Sequence, residues 1–314
     1  MNSSPDDLPE IPDTPVKGRA SSPVQARVGT AAPGCPAERS SAEADSQSES
    51  GFASGASHLP NGQPANFVPA PPDPAWDGWD VLRIIFITIV ALFACVFAVL
   101  FIAHRWFYPH ARVAEIARVP MVLVAGQALA YLLILAYMYV LVTRERRRPD
   151  FLAAIHWNWP SNFVVYVFTG FVLSVVLQLF SHLLPIPKEL PIDNFFRTPA
   201  EAWALGILSV TLAPLMEELF FRGFLYPVLA RRLGLPFSVF LTALAFALLH
   251  LAQLGSAWGP VLMIFLVGLV LTMVRAKTNS VAAGILIHMA YNGTITLAMF
   301  AATDGFRHLE KLNQ

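Results

Sequence analysis

From Trp79 onward the chain is a succession of apolar runs, and this pattern constrains the fold more than any other feature. Crossing a bilayer takes roughly 20 residues of helix. Runs of that order lie near 81–103, 120–142, 162–184, 203–229, 237–254, 259–275 and 281–301. The fifth and sixth are short, which suits tilted or partly re-entrant segments. The pattern predicts an all-α, polytopic membrane helical bundle of about seven transmembrane helices, or eight if the stretch around 185–200 dips into the interface. Composition agrees: 55% of the 314 residues are hydrophobic and only 13% charged, which excludes an ordinary soluble domain.

Net charge is zero, so the chain carries no electrostatic footprint for nucleic acid, and no nucleic-acid partner is expected. Cys35 and Cys95 lie far apart and build neither a disulfide framework nor a cysteine metal site. The first 70 residues contain no apolar core of a secretory signal. Residues 1–78 are rich in Pro, Ser and Ala and read as a disordered N-terminal tail. Residues 79–303 form the membrane domain, and 304–314 a short polar C-terminal tail.

Basic residues set the orientation. Arg144, Arg146, Arg147 and Arg148 crowd one loop, Arg231 and Arg232 follow the fourth run, and Arg275 and Lys277 follow the sixth. Seven spans put these clusters on one side, which the positive-inside rule makes cytoplasmic, together with the N-terminus. Arg105, Arg112 and Arg118 dissent, and three agreeing loops outweigh them.

Within the fourth run stands Glu217-Glu218-Leu219-Phe220-Phe221-Arg222. Ionisable groups at membrane depth are costly and mark function. Glu218 and Arg222 are four apart in the order that favours a helical ion pair, which serves structure or chemistry equally well. Glu217 points about 100° away around the helix and has no partner in its sequence neighbourhood. Burial without a partner favours the neutral form of a carboxyl, and general bases working near neutral pH arise in this way. Pro214 leaves the Val210 carbonyl without its helical donor, and a kink there suits a cavity beside the glutamates.

Other runs bring polar groups to comparable depth. Phe246-Ala247-Leu248-Leu249-His250 lies in the fifth, and His288-Met289-Ala290-Tyr291-Asn292 in the seventh, with His288 and Asn292 on one helix face. At about 1.5 Å per residue, Glu217, His250, His288 and Asn292 lie roughly 18, 20, 10 and 16 Å from the inner ends of their helices. Singly, each is as well explained as interhelical glue, and His182 and His104 are read as packing or interfacial residues. The constellation carries the weight.

Glu-Glu-x-x-x-Arg, Phe-x-x-x-His and His-x-x-x-Asn, each on its own span and in this order, resemble the three motifs of the CAAX protease and bacteriocin-processing (CPBP, or Abi) family of intramembrane proteases. The resemblance covers roughly residues 165–301. It implies peptide-bond hydrolysis in a membrane-associated protein or peptide, in a protein of the bacterial inner membrane. Glu217 would activate water with help from His250. His288 and Asn292 would donate to the oxyanion, and Glu218 and Arg222 would hold the helix. Eukaryotic relatives remove the last three residues of prenylated CAAX proteins. Family members are commonly labelled metalloproteases, and Glu217, His250 and His288 would be the ligands of an open zinc site. A metal-free glutamate mechanism uses the same residues and is the one we favour, since His-Glu-x-x-His is absent. The rival readings are an ion-coupled carrier, disfavoured because the charged motifs have no counterpart in the first half, and a catalytically silent immunity or scaffold protein.

Overall fold

The computed structural model describes residues 74–187 and 190–313, so most of the expected N-terminal tail lies outside it. Every long element is helical, and there is no strand among the described residues. The long helices are α1 (Gly78–Ile102), α2 (Pro120–Val140), α3 (Phe163–Ser181), α4 (Pro199–Val210), α5 (Leu212–Glu218), α6 (Tyr226–Leu249), α7 (Trp258–Thr278) and α8 (Val281–Ala302). Many of their large apolar side chains face outward, among them Phe86, Phe93, Phe97, Phe168 and Leu179. Such a surface is stable only against lipid, so the protein is an integral membrane protein.

Six helices are long and apolar enough to cross a membrane, against the seven or eight expected. The difference lies in one segment. Pro199–Leu249 is a largely helical run of 51 residues that covers both the fourth and the fifth expected spans. At 1.5 Å per residue it is about 76 Å long, far more than one crossing. Gly234 breaks it at φ 73°, ψ 176°, a conformation open to glycine. The arms on either side then pack together: Phe221 meets Phe246 with ring centroids 5.2 Å apart, and Tyr226, Ala230 and Val239 form one buried cluster.

Local sequence explains the helix ends. Thr198 and Glu201 form a capping box at the start of α4. Ser280 caps α8 by accepting from the Ala283 amide at 3.0 Å. The next free amides of α8, Val281 and Ala282, donate to the carbonyls of His156 and Trp157. Small residues let the long helices approach closely. A Cβ on Gly126 would sit 2.8 Å from the Val96 Cα, which joins α2 to α1. One on Gly170 would sit 2.3 Å from the Ile287 carbonyl oxygen, which joins α3 to α8.

The expected basic clusters share one end of the bundle. Arg146 pairs with Asp77 and Asp80, Arg83 with Glu145 at 2.8 Å, and the Arg232 guanidinium lies beside Gly78. Arg275 reaches the same end through Asn279 (2.6 Å), which meets His156. Trp76, which lies within the stretch assigned to the tail, is buried: its ring stacks on Phe224 at 4.6 Å and its Nε1 donates to the Phe224 carbonyl at 3.1 Å.

Candidate active site

The helix carrying the two glutamates is broken immediately before them. Thr211 leaves the helical region (φ −115°, ψ −80°), and α5 restarts one residue later with Pro214 in its first turn. The disruption expected from Pro214 is present, displaced three residues upstream. It frees the Ser209 carbonyl, which accepts a hydrogen bond from Asn292 Nδ2 at 2.7 Å. Directly after Glu218 the chain widens into a π-helical stretch, Leu219–Leu225, that carries Arg222. Such stretches are rare and frequently accompany functional sites.

Glu218 and Arg222 are both fully buried and form a 2.7 Å ion pair. Charges taken out of lipid and water are tolerable only when their other hydrogen-bonding groups are also satisfied. In Arg222 each nitrogen has a partner: besides Nη1 on Glu218, Nε donates to Thr272 Oγ1 and Nη2 to the Gly268 carbonyl, and the guanidinium lies over the Phe246 ring at 4.6 Å. Arg275 in turn donates to the Arg222 carbonyl at 3.2 Å. Glu218 is served unevenly. Its Oε1 receives both Arg222 and His288 Nδ1 (3.0 Å), while Oε2 has no hydrogen-bond partner among the described residues. Gly284 faces Oε2 so closely that a Cβ there would lie 2.6 Å away.

His288 is nearly buried and stands between the two glutamates. Nδ1 faces Glu218, and Nε2 lies 3.7 Å from Glu217 Oε2. The sequence left Glu217 without a partner; the structure supplies one from α8. Because a carboxylate only accepts, Nδ1 is the protonated nitrogen, and Nε2 in the neutral ring presents a lone pair toward Glu217.

Glu217 is 15% exposed and opens onto a cavity of about 260 Å³. Ile85, Thr88 and Leu92 of α1 and Tyr131 and Met138 of α2 contribute to its wall. These two helices showed no motif in the sequence, yet they build the space in front of the carboxylate. Tyr131 and Gln127 form a 2.8 Å polar pair within α2. Their i, i+4 spacing inside an apolar run was the signal that could have found them.

His250 is placed differently from the other site residues. It forms the C-cap of α6, with Nδ1 bonded to the Phe246 carbonyl at 2.9 Å, and its ring meets Phe246 at 5.0 Å. Phe246 also packs edge-on against His288 at 5.7 Å and so touches both histidines. Among the described residues no three His, Cys, Asp or Glu side chains form a group able to hold a metal ion. Both nitrogens of His288 already face carboxylates, and Nδ1 of His250 is taken by its own helix.

No curated protein and no solved structure matches the chain. A family model described as Type II CAAX prenyl endopeptidase Rce1-like matches residues 199–294, from the start of α4 into the middle of α8. Glu217, Glu218, Arg222, His250, His288 and Asn292 all fall inside that stretch. The motif-bearing region is thus similar to the Rce1-like CAAX endopeptidase model, which is consistent with the CPBP intramembrane protease family that its motifs resemble.

Proposed function

We propose that the protein is an intramembrane endopeptidase that cleaves a membrane-associated protein or peptide, with Glu217 as its general base. The observation that carries this reading is the division of labour between adjacent carboxylates. Glu218 is committed to Arg222 and His288, while Glu217 faces a cavity with His288 Nε2 3.7 Å away. That gap exceeds a direct hydrogen bond, and a water about 2.8 Å from both atoms fits it.

Glu217 takes a proton from this water, and the resulting hydroxide adds to the scissile carbonyl. The oxyanion is stabilised by donors in a site that excludes bulk solvent. Asn292 keeps one amide N–H after serving Ser209 and offers it to the oxyanion, while the neutral His288 ring orients the water through its Nε2 lone pair. Glu217 then passes the proton to the leaving nitrogen, the C–N bond breaks, and a carboxylic acid and an amine result, between which the acid proton then moves to give a carboxylate and an ammonium group. The basic end of the bundle faces the cytoplasm, as the positive-inside rule requires, and this puts the N-terminal side of α1 inside. The reading routes all chemistry through these side chains.

The test uses purified wild type and Glu217→Gln in bilayers with a library of prenylated and transmembrane peptides, followed by mass spectrometry. Gln keeps the shape and removes the base, so a fall of at least about 100-fold is expected. Equal cleavage by the two proteins overturns the assignment. Metal analysis and exhaustive chelation accompany it. Bound metal together with loss of activity on chelation would replace this mechanism by a zinc one.

A further inference from the structure

On the basic end of the bundle an apolar groove of about 950 Å³ runs between α2 and the loop that follows it. Leu132, Tyr139, Phe151 and Trp157 line it. Its floor includes Leu215 and Leu219, which flank the Glu217-Glu218 pair on the helix that carries them. Val140 and Pro149 both enter the wall, and the chain between them is Leu141-Val142-Thr143-Arg144-Glu145-Arg146-Arg147-Arg148. Two charges of this loop are committed elsewhere: Glu145 to Arg83, and Arg146 to Asp77 and Asp80. Arg144, Arg147 and Arg148 are exposed and take part in no ion pair among the described residues. The loop is nevertheless pinned, because the Arg148 amide donates to the Val142 carbonyl at 3.0 Å. The only carboxylate in the groove wall, Asp150, is occupied in capping the helical turn Phe151–Ala154 through the Ala153 amide at 2.9 Å.

We propose that this groove is a binding site for one anionic phospholipid, with an acyl chain along the apolar wall and the phosphate-bearing headgroup on Arg144, Arg147 and Arg148. Charge selects the occupant: the loop whose two ends, Val140 and Pro149, enter the apolar groove wall carries three exposed arginines with no ion pair among the described residues. Clusters of this kind beside a membrane helix attract anionic headgroups in preference to zwitterionic ones. The chain seated there packs on Leu215 and Leu219 and so supports the glutamate helix from the side opposite the Glu217 cavity. An anionic lipid would then act as a structural ligand of the segment that bears the candidate active site.

The experiment is native mass spectrometry of the full chain released from mixed micelles of equimolar phosphatidylglycerol and phosphatidylcholine with matched acyl chains. One retained phosphatidylglycerol per protein is expected, with a preference of about fivefold for each arginine engaged. Arg144→Gln/Arg147→Gln/Arg148→Gln should bring the two lipids to parity. Ala136→Trp fills the groove from an exposed position and keeps every arginine, so it should abolish retention of both lipids. Equal retention by the wild type overturns the proposal. So does a preference that survives Ala136→Trp, which would show attraction to the basic surface without a site. Neither readout depends on proteolysis, so the proposal and the assignment of Glu217 fail separately.

Discussion

The sharpest test of the site's architecture is a single methyl group, Gly284→Ala. The new Cβ would lie 2.6 Å from Glu218 Oε2, whereas ordinary contact begins at 3.4 Å, so one of the two must move by about 0.8 Å. The backbone of α8 cannot supply this movement, because Gly170 already holds it within contact of α3 through the Ile287 carbonyl. Glu218 must therefore yield, and its Oε1 is tied to Arg222 at 2.7 Å and His288 at 3.0 Å. The guanidinium is fixed on four sides, so the weaker His288 bond lengthens, to about 3.8 Å if it takes up the whole displacement.

Overpacking costs about 1–3 kcal/mol, and a hydrogen bond to a charged group about 1.5–3 kcal/mol. These overlap, since one relieves the other, so the expected destabilisation is about 2–3 kcal/mol. Cleavage should fall about 10–100-fold through kcat, with KM little changed, because His288 loses the contact that aims Nε2 at Glu217. The assay pairs thermal unfolding in detergent with single-turnover cleavage. Unchanged stability together with unchanged kcat would refute the claim that Glu218 is wedged between Gly284 and His288.

Three further outcomes follow from the same geometry. Trp76→Ala removes a buried ring and a hydrogen bond to the Phe224 carbonyl, and thermal unfolding should show a loss of about 3 kcal/mol or more. Gly170→Leu places a side chain against the Ile287 carbonyl, where the opposing atom is backbone and cannot rotate away; the full chain should fail to yield a monodisperse peak on size-exclusion chromatography. His156 lies outside the spans, and burial, with Arg275 nearby, lowers its pKa below the ordinary 6.5. Its Nδ1 accepts from Asn279 in the neutral form. The unfolded chain therefore binds the proton more readily, and stability should fall as pH drops below about 6.5. His156→Gln should flatten that slope in unfolding measured from pH 7.5 to 5.

What was legible in the sequence follows the range of the forces involved. The Glu218–Arg222 pair could be read because both partners sit on one helix four residues apart, and the break in that helix because Pro214 announces it. The turn at Gly234 is signalled by Gly234-Leu235-Pro236. The His288 bridge could not be read. It depends on how α8 is rotated against α5, and that rotation is set by Gly284 and Gly170, whose role is visible only as the absence of a side chain. Depth along the helix axis brought His250 level with Glu217 but carried no azimuth, and the ring that packs on both His250 and His288 is Phe246. Asn292 was read as an oxyanion donor, and the structure gives one of its donors to Ser209, a carbonyl freed only by the break at Thr211. The contribution of α1 and α2 to the cavity left no motif, because apolar walls need shape more than particular residues.

The two glutamates also explain why the segment is irregular on both sides. On a regular helix, neighbours about 100° apart would place one carboxylate toward the bundle interior and the other toward lipid or a neighbouring helix. Here the inner one, Glu218, is neutralised by Arg222, but an arginine's length must be accommodated across to Thr272 and Gly268 of α7. The π stretch Leu219–Leu225 adds room in the turn that holds Arg222. The outer one, Glu217, needs a polar neighbour and a space from which bulk solvent is excluded. The break at Thr211 tilts α5 free of α4, and α1, α2 and His288 then close around the carboxylate. Each irregularity costs helical hydrogen bonds in a medium where these are hard to replace. Asn292 on Ser209 and Arg275 on the Arg222 carbonyl recover two of them. If Glu217 is the base proposed above, these side chains bear on catalysis without touching a reacting atom: without them, the helix that carries Glu217 would relax toward regularity and turn the carboxylate away from its cavity.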